Sequence, residues 1–193
     1  RLDPRSVETA LAYPRGFTSS LPRALFLGSA WDMTRDAELG ARSFVDLVLD
    51  TVPGETDSTL LRTLIGQLQT AVFSYVAPEH RDATRARVRE TLWRLAGEAE
   101  PGSDAQLQLV MAAANVTAPG DDVSAFTALL DGTEQLEGLA VDFEMRWTLL
   151  TALAAAGSAD GAAIEAERLR EDTATGRERA ARALAARPTA EAK

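Results

Sequence analysis

The chain has 193 residues, enough to bury a real core within one domain or a large part of one. Its 46% hydrophobic and 25% charged residues make a globular composition and exclude a disordered tail. Twenty basic residues against 29 acidic ones give a net charge of −9, which repels a phosphate backbone and argues against nucleic acid as a partner. The absence of cysteine removes disulfides, thiolate catalysis and cysteine zinc sites together. It fits a reducing compartment, so a cytoplasmic location is the expectation. No apolar run approaches the ~20 residues of a membrane helix, and no secretory segment opens the chain, so no membrane partner is expected. The sequence begins Arg1-Leu2-Asp3-Pro4, without Met, and is expected to be a fragment of a longer polypeptide.

Helix breakers punctuate the sequence at Pro53-Gly54, Pro78, Pro101-Gly102, Pro119-Gly120, Gly132, Gly157, Gly176 and Pro188. Between them apolar residues recur at helical spacing. Leu61, Leu64, Ile65, Leu68, Val72 and Tyr75 trace one continuous stripe. Val88, Leu92 and Leu95 form the next, and Leu107, Val110, Met111 and Ala114 another. Phe126 with Leu129 and Leu130, then Phe143, Trp147, Leu150 and Ala154, continue the pattern. Ser103 with Gln106 reads as a capping box, and Thr175 with Glu178 as a second one. Asp121 and Asp122 place negative charge where the next helix dipole favours it.

Strand-type alternation is nearly absent. The pattern predicts an all-α fold of roughly nine or ten helices with short connections. Short loops and one apolar face per helix favour an irregular stack of antiparallel helical hairpins, a HEAT- or armadillo-like array, with a closed bundle as the other solution. No strict repeat is present. The polar, helix-competent Thr189–Lys193 suits an array truncated at its C-terminus.

His80 is the single histidine. A His-Glu-x-x-His zinc site needs two histidines one helical turn apart plus a carboxylate, and a serine triad would also run through this one residue. Beside Pro78 and Glu79, it is expected to be exposed at a helix start. Neither catalytic nor metal-binding residues are therefore assigned, and the chain alone is predicted to be inactive. The carboxylate pairs Asp32/Asp36, Glu165/Glu167 and Glu171/Asp172 read as solvated helix acids, since acid–base work needs convergence in a cleft. The basic run Arg81, Arg85, Arg87, Arg89 and Arg94, interleaved with Asp82 and Glu90, reads as a solvated helix face.

The segment Trp31-Asp32-Met33-Thr34-Arg35-Asp36 carries the candidate site. One helical turn aligns Asp32, Arg35 and Asp36, so a bidentate Arg–carboxylate pair could lock the following loop with Trp31 as a core anchor beneath. The alternative makes Trp31 and Arg35 part of a surface facing a substrate chamber or a neighbouring domain. Trp147 beside Arg146 poses the same choice, with core packing expected.

Leu21–Leu39, with Arg23, Trp31, Asp32, Arg35 and Asp36, resembles the start of the helical C-terminal domain of aminopeptidase N-like zinc metallopeptidases, the gluzincin aminopeptidases. Arg1–Ser6 resembles the segment leading in from a preceding domain, which marks residues 1–18 as the lead-in. Phe143–Trp147 with Leu149-Leu150, Asp172–Gly176 and Ala185–Lys193 resemble later stretches of the same endoplasmic-reticulum-aminopeptidase-like C-terminal domain, so the likeness spans nearly all of residues 1–193. It implies a non-catalytic lid that closes over the active site and helps form a peptide chamber. Its partners would be the N-terminal catalytic domains of the same polypeptide and peptide substrates, with zinc as the parent enzyme's cofactor and none in this chain. His-Glu-x-x-His and Gly-x-Met-Glu-Asn are missing, so the family's zinc ligands and catalytic residues map to no position. Two other classes remain: a stand-alone helical-repeat adaptor binding a protein partner, and a ligand-binding repressor, which would need a basic helix-turn-helix that the mixed-charge residues 1–50 do not supply.

Overall fold

The computed structural model describes residues 1–170 and 172–192, with Glu191 described by its backbone alone. Ten α-helices and no strand occur among the described residues, which is the all-α class expected. They are α1 (Pro4–Ala12), α2 (Ser20–Arg35), α3 (Ala41–Thr51), α4 (Ser58–Thr70), α5 (Pro78–Glu98), α6 (Asp104–Asn115), α7 (Ser124–Asp131), α8 (Phe143–Ala156), α9 (Gly161–Arg170) and α10 (Ala174–Ala186). Short 3-10 turns follow α3 at Val52–Gly54 and close the chain at Ala190–Ala192. The chain divides into two compact units, Arg1–Thr91 and Leu92–Lys193.

In the first unit α2, α3 and α4 pack together around Leu27, Phe44, Val45, Val48, Leu61, Leu64 and Leu68, all buried. In the second unit α8 is the hub, packed on α6, α7 and α10, and it buries Met145, Trp147, Leu149 and Leu150 together with Phe126 and Ile164. Among the described residues, side-chain oxygens cap six helices: Asp3 accepts from the Ser6 amide, Asp57 from Thr59 and Leu60, Ser103 from Gln106, Asp142 from Met145, Asp160 from Ala163, and Thr173 from Gly176. Each such cap contributes about 1 kcal/mol by satisfying amides that the helix itself leaves open. Gly132 and Gly157 end α7 and α8 in the left-handed conformation, which side chains with a Cβ resist.

Several sequence expectations shift in register. The α4 stripe runs into a π-helical turn, Ala71–Tyr75, closed by the Val76 amide donating to the Ala71 carbonyl at 2.9 Å. A π turn takes up one extra residue, so the buried position after Val72 falls on Val76 at 2% exposure, and Tyr75 is 41% exposed. On α6 the buried face is Gln106, Leu109, Val110 and Ala113, whereas Leu107 is exposed.

The capping box at α6 is half formed. Ser103 caps Gln106, but the Gln106 carboxamide turns away from Ser103, accepting from Gly102 and donating to the Glu137 carbonyl. It thereby ties the Pro101-Gly102 turn to the loop at Gly138. The α10 cap is Thr173 and not Thr175, and Gly176 lies inside the first turn as a buried residue instead of breaking the helix. Asp121 and Asp122 build the loop before α7 by accepting from the Ala118 and Ser124 amides. Glu171 and Lys193 lie outside the described residues.

Candidate functional site

Trp31 sits in the second half of α2, half-buried. Its ring tilts against Phe44 of α3 at 5.2 Å and meets Tyr75 edge-on at 5.7 Å. Tyr75 in turn lines an open groove of about 810 Å3 between the start of α3 and the start of α5. Its charged lining residues are Arg42, Asp46, Glu79 and Arg87, with His80, Ser43 and Thr84 beside them. Trp31 therefore supports the groove from behind through Tyr75. Sequence reading missed Tyr75 because it fell on the core stripe, and only the π turn rotates it outward.

Arg87 is paired with Asp46 across the groove. The Thr84 hydroxyl donates to the His80 carbonyl, so it is not held by the imidazole as a nucleophile would be. His80 is exposed in the first turn of α5, where it was expected. Among the described residues no three His, Cys, Asp or Glu side chains gather as a metal site. A single exposed histidine, with the groove's Asp46 taken up by Arg87, does not fit a zinc ion.

Arg35 is where the sequence expectation fails in detail. Its guanidinium is 3.5 Å from Asp32 with both side chains more than half exposed, a loose pair and not a bidentate lock. Asp36 instead accepts from Arg1 at 3.0 Å, and Glu38 pairs with Arg1 at 2.6 Å. The bidentate arrangement forms elsewhere: once within α9, where Arg168 grips Glu165 three residues before it, and twice between separate elements. Arg23 on α2 grips Glu55, just after the 3-10 turn, with N···O distances of 2.7 and 2.9 Å, and donates a third bond to the Phe17 carbonyl. Arg146 on α8 grips Glu167 on α9 with two bonds of 2.6 Å and donates to the Leu130 carbonyl. The two pairs between elements need partners more than twenty residues apart, so helical spacing carried no signal for them. Trp147 beside Arg146 is core, as expected.

The acids resolve in the same way. Burial alone pushes the Glu55 carboxyl up, but the bonds from Arg23 and the Asp57 amide outweigh it and leave it below the ordinary value of 4.5. Arg146 holds Glu167 low against its burial, and Arg168 holds Glu165 low. A general acid needs the opposite shift, so the Glu165/Glu167 pair is structural. Asp172 receives Arg168 and Arg177. In the basic run of α5, Arg85 is buried, contrary to a solvated face, and Arg81 donates to the Val76 carbonyl. This run stitches the helix to its surroundings and forms no anion track.

Two comparisons address descent. The sequence is 44% identical over all 193 residues to Aminopeptidase N of Streptomyces lividans, and it spans 22% of the length of that relative. The sequence model of the ERAP1-like C-terminal domain family matches residues 1–193. A match along the whole chain, joined to an all-helical structure, settles the assignment: the chain belongs to the ERAP1-like C-terminal domain family.

Proposed function

We propose that this chain is the non-catalytic helical lid of a zinc-dependent aminopeptidase N, closing over the active site and walling part of the chamber that admits peptides. The observation that carries this reading is the 44% identity running along the whole chain within a relative named Aminopeptidase N, of which the chain spans only 22%. The catalytic domains would then lie on the same polypeptide, with zinc bound there. Residues 1–18 would lead in from them, and the reaction would be release of N-terminal amino acids from peptides. Trp31 and Arg35 are proposed as chamber or interdomain residues: Arg35 because its exposed guanidinium is only loosely held, Trp31 because it backs the Tyr75 wall of the groove. Among the described residues no helix is long and apolar enough to cross a membrane. Together with the absence of cysteine, this supports a cytoplasmic enzyme.

The test is the natural polypeptide carrying this segment, isolated, weighed and mapped upstream of Arg1. A product several times heavier than 20.6 kDa with an upstream His-Glu-x-x-His, active on aminoacyl substrates, is expected. Removal of residues 1–193 should then change its discrimination between short and long peptides. A natural product ending at these limits would overturn the reading in favour of a helical adaptor.

A further inference from the structure

Helix α1 is amphipathic yet scarcely packed. Of its nine residues only Ala10 is buried, and Tyr13 immediately after it is 70% exposed. The neighbouring face of α2 has the same character, with Leu21 and Leu25 each 66% exposed. Between the two helices lies a groove of about 680 Å3 lined by Leu2, Tyr13, Phe17, Pro22, Leu25 and Phe26, with the Phe17 and Phe26 rings stacked 5.4 Å apart. Arg5 is its one charged lining residue among the described residues. Beyond this face, α1 is tied down by the Arg1 pairs to Asp36 and Glu38, which are exposed and contribute little. Single exposed leucines are ordinary, but a contiguous apolar groove beside an amphipathic helix with one buried residue is a surface that lacks its partner.

We propose that this groove docks the polypeptide preceding Arg1. The occupant would be an apolar ridge of the catalytic part, with an acidic side chain placed to meet Arg5. The proposal rests on the function proposed above. Two observations select this occupant over a free partner. Most of the relative's length lies outside the stretch this chain matches, and membership in a C-terminal domain family puts the other domains upstream. Helix α1 begins at Pro4, so whatever precedes Arg1 is tethered beside the groove. A short tether supplies an effective concentration on the order of millimolar, at which a modest apolar contact closes. The groove's chemistry agrees: in a chain of net charge −9, an isolated arginine at an apolar groove favours an acidic residue on the incoming surface.

Hydrogen exchange compared between the full natural polypeptide and residues 1–193 alone tests it. Amides of α1 and of the first turns of α2 should exchange at least about tenfold more slowly in the full polypeptide, while those of α8 match. Tyr13→Asp with Leu25→Asp should remove that protection in the full polypeptide and leave the Tm of residues 1–193 unchanged, both side chains being largely exposed. Leu169→Asp, at another exposed leucine, should leave the α1 protection intact. Equal exchange in a full polypeptide that is an active aminopeptidase overturns the docking and spares the proposed function. A natural polypeptide without a peptidase module overturns both. A dimer of residues 1–193 that Leu25→Asp dissociates also overturns it, by giving the groove to a second copy.

Discussion

Glu55→Ala removes one half of the least accessible ion pair described in the chain. The Arg23 and Glu55 side chains are 11% and 0% exposed, so solvent screening does little to soften the loss. Two charge-assisted bonds disappear, together with the one that Glu55 accepts from the Asp57 amide at 2.8 Å. At about 1.5–3 kcal/mol net for a bond to a charged group, the two Arg23 contacts give roughly 3–6 kcal/mol. Removing one partner of a buried pair gives about 3–5 kcal/mol by a separate route. The expected loss is therefore about 4 kcal/mol, or a Tm fall of roughly 8–16 °C for a chain of this size.

Denaturant unfolding of a double-mutant cycle is the assay. Arg23→Met should cost about as much as Glu55→Leu, whereas the double variant Arg23→Met/Glu55→Leu should lie within about 2 kcal/mol of the parent, because no charge is left stranded. A Glu55→Ala loss below about 1 kcal/mol, or a double variant that merely sums the singles, would refute the claim that this pair locks the start of α2 to the turn after α3.

Three further outcomes are expected. Both Glu55 and Glu167 have folded carboxyls below the ordinary 4.5. The unfolded chain therefore takes up protons first, and their stabilisation, full above pH ~4.5, is lost as pH falls through the folded values; an acid titration of the Tm should steepen there, less so in the Arg23→Met/Glu55→Leu variant. Gly138→Ala should destabilise by about 3 kcal/mol or more, since Gly138 has φ +75° and its Cβ would overlap the Gly102 amide and the Pro101 carbonyl carbon; calorimetry of the two proteins checks it. Arg35→Ala should leave the Tm of residues 1–193 within about 1 °C, its 55% exposed side chain holding only a loose pair, while peptide kinetics of the full polypeptide change if the proposed chamber role holds. Kinetics identical to the parent would remove Arg35 from that role.

The sequence by itself determined what depends on neighbours along the chain. Helical periodicity located the all-α class, because each helix buries one stripe at 3.6-residue spacing whatever it packs against. Ser103 announced a helix start, and Gly132 and Gly157 the ends of α7 and α8, since caps and left-handed turns are satisfied within a few residues. One lone histidine cannot supply the two that a His-Glu-x-x-His motif requires.

What only the tertiary structure decided depends on groups far apart in sequence, or on a local irregularity no propensity encodes. Arg23 finds Glu55 32 residues away, so the lock formed there and not at Asp32 and Arg35, whose helical spacing was the visible signal. The extra residue of the π turn moved Tyr75 out of the core and Val76 into it. Likewise, the apolar side chains of α1 and α2 stand in the sequence, yet only packing reveals that the groove they line is left open. Periodicity records which side of a helix avoids water; the fold alone decides what, if anything, covers it.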